Sequence, residues 1–136
     1  MKKKKSKLQQ KKDNPRSKYW KTRADKLWGE AIHLIYKACA VCGKEPTESH
    51  HLIGRANTAT RHEIENGIGL CALHHKWDNK LSAHSAPLAF AEWLQENDPD
   101  KWEWASKNKN RIEKPDYEAA YYRLEEELKK IKENGF

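Results

Sequence analysis

Cys39-Ala40-Val41-Cys42-Gly43 and Cys71-Ala72-Leu73-His74-His75 decide how this chain is read, with Ser49-His50-His51-Leu52-Ile53 and Asn66-Gly67-Ile68-Gly69-Leu70 between them. Each outer stretch offers two metal-ligating side chains across a two-residue gap, and Gly43 supplies the permissive backbone that a tight knuckle needs. Zinc takes four soft or borderline ligands in a tetrahedron, so Cys39, Cys42, Cys71 and His74 form a closed set for one structural Zn2+. Four protein ligands of this kind hold a fold together rather than perform chemistry. Adjacent histidines are interchangeable by spacing alone, which leaves His75 as the alternative fourth ligand. This assignment uses all three cysteines of the chain, an odd count that argues against a disulfide framework and for a reducing compartment.

Inside that frame the alternation of Ser49-His50-His51-Leu52-Ile53 predicts a short strand, with His50 and His51 on opposite sides of it. Asn66-Gly67 reads as a turn leading into a second short strand at Ile68-Gly69-Leu70. His74-His75-Lys76-Trp77 then predicts the first turn of a helix. Strand, loop, strand and helix, pinned by zinc, define an α+β core. His50, His51, Asn66 and His75 are polar groups that the structural metal does not need. Plain readings stand beside them: His50 as a solvent-facing strand residue and Asn66 as a turn former. Arg55 and Arg61, with Asn57 and Thr58 between them, occupy the loop between the strands, where guanidinium groups would pair with phosphate or remain solvated. His33 and His62 are read as structural or exposed, and His84, after Ser82-Ala83, as packing against the metal module with no mechanism assigned.

The flanks are helical in pattern. Trp28, Ile32 and Ile35 share one face of a helix over 18–37, and Pro87 opens a second helix through Leu94. Asp98-Pro99-Asp100 ends that helix, Trp102 and Trp104 belong to a short element after it, and Tyr117, Ala120, Tyr121, Leu124, Leu128 and Ile131 mark a last helix opened by Pro115. The 136 residues amount to one domain, 37% hydrophobic and 35% charged, with six tryptophans to enlarge a modest core. The net charge of +7 is unevenly spread. Residues 1–23 hold eleven Lys and Arg against Asp13 alone, while the remainder has 16 basic and 19 acidic residues. Lys2, Lys3, Lys4 and Lys5 head a basic arm over 1–17 that is expected to be disordered and to grip nucleic-acid phosphates, or else only to aid solubility. No apolar run reaches the ~18–20 residues of a membrane span, and no signal-peptide pattern opens the chain.

The succession CxxC, HH, N and CxxHH resembles the HNH endonuclease family, whose fold is the ββα-metal fold. The resemblance covers Cys39 to Lys80. Extended through Ser82-Ala83-His84 and the helix from Pro87 to Trp93, the chain is similar to small phage-borne HNH nucleases, including recombination-type ones. It departs from the family at the second knuckle, where Cys71-xx-His74 stands in place of a second CxxC. The resemblance implies a metal-dependent DNA endonuclease that nicks, or cleaves with weak sequence specificity, in phage DNA processing or recombination. It makes His51 the general base, Asn66 the residue whose side chain orients that base, and His50 and His75 ligands of one catalytic divalent cation, Mg2+, Mn2+, Ni2+, Co2+ or Zn2+. The expected organisation is a nuclease domain over 18–97 and a helical extension over 98–136. DNA is the expected partner, as monomer or dimer, and the expected location is cytoplasmic, in a host cell if the chain is phage-encoded. The alternative is a non-catalytic zinc-binding nucleic-acid-binding module, and a more distant one is a zinc-stabilised protein-interaction domain.

Overall fold

A computed structural model describes residues 3–135, so Lys2 lies outside the described residues. The elements are α1 (Lys7–Asp13), α2 (Lys18–Ile35), β1 (Glu48–His51), β2 (Gly67–Leu70), α3 (Pro87–Asn97), α4 (Pro99–Asn108) and α5 (Tyr117–Glu133). A 3-10 turn at Ile64–Asn66 precedes β2, and a π-turn at Leu73–Trp77 follows it. The fold is thus mixed, with helices around a two-stranded antiparallel sheet in which Glu48 faces Leu70, Ser49 faces Gly69, His50 faces Ile68 and His51 faces Gly67.

Two strands alone are marginal in water, and this pair is sandwiched between helices. The alternation in Gly67-Ile68-Gly69-Leu70 explains how. Ile68 and Leu70 join Phe90 and Leu94 of α3, with Cys39 and Cys71, in one core cluster. The two glycines lie on the other face, tight against Ile32 and Tyr36 at the end of α2. Cross-strand partners share a face. His50, opposite Ile68, therefore stands on the α3 side, and His51, opposite Gly67, on the α2 side.

The second cluster joins Ala24, Trp28 and Ile32 of α2 to Ala120 and Leu124 of α5. The burial of Trp20, Ala24, Trp28, Ala31 and Ile32 follows helical spacing, and Tyr117, Ala120, Leu124 and Leu128 answer it on α5. Ile35, expected on that face, is half-buried. Within the expected helical extension, α5 supplies one wall of this core. Asp98 caps α4 by accepting from Lys101 N, and Asp116, rather than Pro115, caps α5 by accepting from Ala119 N.

The arm differs from its expectation of disorder, because α1 is a helix. Ser6 Oγ caps it, Gln9 and Lys5 both donate to the Asp13 carboxylate, and the Trp20 indole donates to Lys12 O at 2.9 Å. Pro15 O then accepts from Tyr117 N and Glu118 N, tying the arm to the start of α5. These polar ties replace the apolar burial that α1 lacks entirely. Among the described residues, no helix is long and apolar enough to cross a membrane.

Candidate functional site

The first knuckle is a tight turn in which Gly43 N donates to Cys39 O at 2.8 Å and Cys39 N donates to Lys44 O at 2.9 Å. Gly43 takes φ 76°, which a side chain would strain. Ala40 N donates to Gly69 O, fastening the knuckle to β2. Across from it the π-turn brings His74 back over Cys71. Cys42 Sγ lies 3.7 Å from Cys71 Sγ, and His74 Nδ1 lies 3.4 Å from Cys71 Sγ and 3.9 Å from Cys39 Sγ. Tetrahedral zinc with ordinary bond lengths would set its ligands roughly 3.8 Å apart for two sulfurs and roughly 3.6 Å for sulfur and nitrogen. The four groups fit one metal ion and have not formed a disulfide. Burial raises the Cys39 thiol, but the backbone amides of Cys71, Cys42 and Val41 outweigh it and bring it down to about 6, toward the thiolate that metals bind.

A second group lies on the α3 side of β1. One ring nitrogen from each of His50, His75 and His84 falls within 4.8 Å of the others, which is also close enough to hold a metal ion. His75 Nδ1 donates to Glu48 Oε1 at 2.7 Å, and its Nε2 lies 3.1 Å from His84 Nε2. Two nitrogens on one ion at ~2.1 Å would stand roughly 3.0–3.4 Å apart. Carboxylate bonding to the far side of a histidine is how proteins commonly fix a ligand's tautomer. The hydrogen bond from His75 lowers the Glu48 pKa. Burial pushes His50 down to about 3, and His75 and His84 push in the same direction. Burial likewise lowers His84, with help from His75 and Lys76.

His51 occupies the opposite face of the strand. Its ring stacks on Trp28 at 3.7 Å between centroids and 8° between planes, and its Nε2 bonds Arg61 O at 2.9 Å. A carbonyl only accepts, so Nε2 carries the hydrogen and Nδ1 carries the lone pair. Burial pushes His51 down to about 4; the bond to Arg61 O opposes this, while the Arg61 and Arg55 charges add to it. Both faces of the strand open on one cleft of about 670 Å³, whose lining includes His50, His51, His75, His84, Arg55 and Lys76.

Asn66, fully buried, spends its side-chain hydrogen bonds on main-chain groups and not on the His51 ring that it was expected to orient. Its Oδ1 accepts from Ile53 N at 2.7 Å, and its Nδ2 donates to Ile53 O and Thr60 O. It clamps the two ends of the inter-strand loop and holds Thr60 O, one carbonyl before the Arg61 O that receives His51. Arg61 differs from its expected role too. Its guanidinium is bidentate on Asp25, which also accepts from His62 Nε2 at 2.6 Å, so Arg61 is committed within the protein. Arg55 is exposed at the cleft. Of the arm lysines, Lys3 and Lys4 are exposed, and Lys5 pairs with Asp13 at 2.6 Å.

The helix of the expected core, starting at His74, is only the π-turn, closed by Asp78 N donating to Leu73 O. It still parts the adjacent histidines, His74 going to the cysteines and His75 to the cleft. Sequence reasoning missed His84, Glu48 and Trp28 as site residues. His84 sits beyond the motif and reaches the cleft because Ala83 N and His84 N bond His74 O and His75 O. The chain matches no protein-family model, no curated protein and no solved structure.

Proposed function

We propose that the chain is a metal-dependent DNA endonuclease with an HNH-type ββα-metal core, hydrolysing a phosphodiester bond in the cleft beside β1. The observation that carries this reading is a neutral, braced imidazole, His51, back to back with the His50, His75 and His84 group on one strand. A divalent cation on those three histidines would supply charge stabilisation to the phosphate and the leaving oxygen. His51 Nδ1 takes a proton from the attacking water as the new P–O bond forms and the ester P–O bond breaks. Trp28 holds the plane of the ring and Arg61 O its rotation, so the lone pair keeps one direction. Entry of an anionic phosphate offsets the Arg55 and Arg61 charges and raises the basicity of His51. Arg55 and Lys76 meet the DNA backbone. Zinc on Cys39, Cys42, Cys71 and His74 ties the knuckle on β2 to the π-turn that carries His75.

The test is nicking of supercoiled plasmid, first with EDTA and then with Mg2+, Mn2+, Ni2+, Co2+ or Zn2+. Cleavage that needs a metal is expected, and His51→Ala lowers it ~10²–10⁴-fold while DNA binding and zinc content hold. Binding without cleavage under every metal replaces the nuclease with a non-catalytic nucleic-acid module. Elemental analysis is expected to find about one tightly held zinc per chain, and Cys39→Ser or Cys71→Ser to destabilise the whole domain. Folded protein free of zinc would overturn the structural assignment.

A further inference from the structure

Lys101 is a half-buried lysine on α4 whose two hydrogen bonds both go to main-chain carbonyls. Its Nζ donates to Glu65 O at 3.0 Å and to Gly67 O at 2.9 Å, the carbonyls on either side of Asn66. The stem is aimed by the cap at Asp98, which accepts from Lys101 N, and the ammonium stands 5.8 Å from the Tyr36 ring centroid. A lysine in this setting gives up hydration, which burial alone would penalise. Burial does lower its pKa, with Asp98 and Glu65 opposing. Stabilising a three-residue turn does not require a charge there, since water or a neutral donor would satisfy the same carbonyls. What the charge adds is a fixed main chain at Asn66.

From Asn66 the contacts run without a break. Its Oδ1 and Nδ2 hold Ile53, Nδ2 also holds Thr60 O, and the next carbonyl, that of Arg61, accepts from His51 Nε2. Leu52 N donates to Asn66 O at 2.9 Å, which binds the end of β1 to the same residue. We propose that Lys101 is a positioning residue for the cleft, holding Asn66 from both sides so that the Arg61 carbonyl and the His51 ring keep their mutual geometry. This rests on the nuclease reading for its effect on turnover, but not for its effect on the geometry of Asn66 and His51.

The experiment compares Lys101→Met, which keeps the stem and removes the donors, with Lys101→Arg, whose guanidinium reaches the same two carbonyls. Lys101→Met is expected to lower kcat about 10–100-fold, the scale of a misplacement near 1 Å, with KM for plasmid within about twofold of wild type. Lys101→Arg is expected to recover most of the loss. In nitrogen-15 spectra of the zinc-loaded full chain, Lys101→Met should shift the Asn66 side-chain amide and the His51 ring signals, leaving zinc content unchanged. Wild-type kcat in Lys101→Met, or a loss that Lys101→Arg fails to recover, would overturn the proposal. If wild-type protein cuts no DNA, the nuclease reading falls, and unmoved Asn66 and His51 signals in Lys101→Met would then separately overturn the positioning role.

Discussion

Asp25 shows how single residues set the field in the cleft. It lines the wall beside Trp28, yet its charge is spent on Arg61, at 2.9 and 2.8 Å, and on His62 at 2.6 Å. Burial raises its pKa, but the bonds from His62 and Arg61 outweigh that and hold the carboxyl well below the usual carboxylate range. A carboxylate whose folded pKa is depressed stabilises the fold above its unfolded value of ~3.9, and that contribution drains away as pH falls below it. Asp25→Asn should therefore cost about 1–2 kcal/mol at pH 7, a figure discounted because the side chain is 37% exposed. Urea melts at pH 7, 5 and 3 should show the gap between wild type and variant holding down to about pH 5 and shrinking below pH 4. A gap that widens on acidification would contradict the sign. None of this network was legible in the sequence, because Asp25 and Arg61 meet only through the fold. The Cys3His set was legible, since ligand spacing is local and survives without knowledge of the tertiary structure. His51 was legible as a residue, but its brace was not: Trp28 carries a core residue's periodicity and gives no sign of stacking on a histidine.

At the scale of elements, β2 is the narrow place where α2 and α3 approach through a single strand. A Cβ at Gly69 would fall inside van der Waals contact of Tyr36 Cβ and 3.2 Å from Tyr36 O, both stiffly attached to the backbone. At Gly67 the obstacles are the end of the Ile32 side chain and the edge of Trp28, 2.9 Å away. Rotating Ile32 relieves part of the second clash, and nothing equivalent relieves the first. Gly69→Ala should thus destabilise by about 1–3 kcal/mol and by more than Gly67→Ala, as measured by denaturant unfolding of zinc-loaded protein. Equal costs would show that the sheet shifts as a body. The strands themselves were readable from the alternation around His50 and from the glycines of β2, and α2, α3 and α5 from periodicity. The helix at α1 was not readable, because its lysines carry no apolar stripe and its support comes from the Trp20 indole and from Pro15 O. The π-turn was read as an ordinary helix start, since nothing in Leu73-His74-His75-Lys76-Trp77 announces a wider turn.

The molecule as a whole is electrostatically lopsided, and α1 fixes where the excess charge sits. Eleven of the 27 basic residues fall in 1–23, and the helix holds Lys7, Lys11 and Lys12 on a short rod tied to the beginnings of α2 and α5. Lys3 and Lys4, just before the helix, and Lys7 and Lys11 within it are exposed, and their side chains form none of the ties that hold the rod in place, whereas Lys5 pairs with Asp13 and Lys12 stands over Tyr19. Replacing those four with Gln keeps a good helix former at the two helical positions, Lys7 and Lys11, and leaves the Ser6 cap, the Trp20 bond and the Pro15 contacts untouched. If DNA lies along the rod, each lost phosphate contact lowers the slope of log binding constant against log salt by about 0.9, so the four together should reduce it by up to about 3–4. The cleft is unchanged in this variant, and kcat at saturating DNA should stay within about twofold of wild type, because phosphate contacts position the duplex and do no chemistry. Filter binding across a salt series, beside a saturating nicking assay on the same preparations, measures both quantities. An unchanged slope would place the DNA elsewhere on the surface, whereas a fall in kcat would make α1 part of the reacting geometry rather than a remote anchor for the substrate.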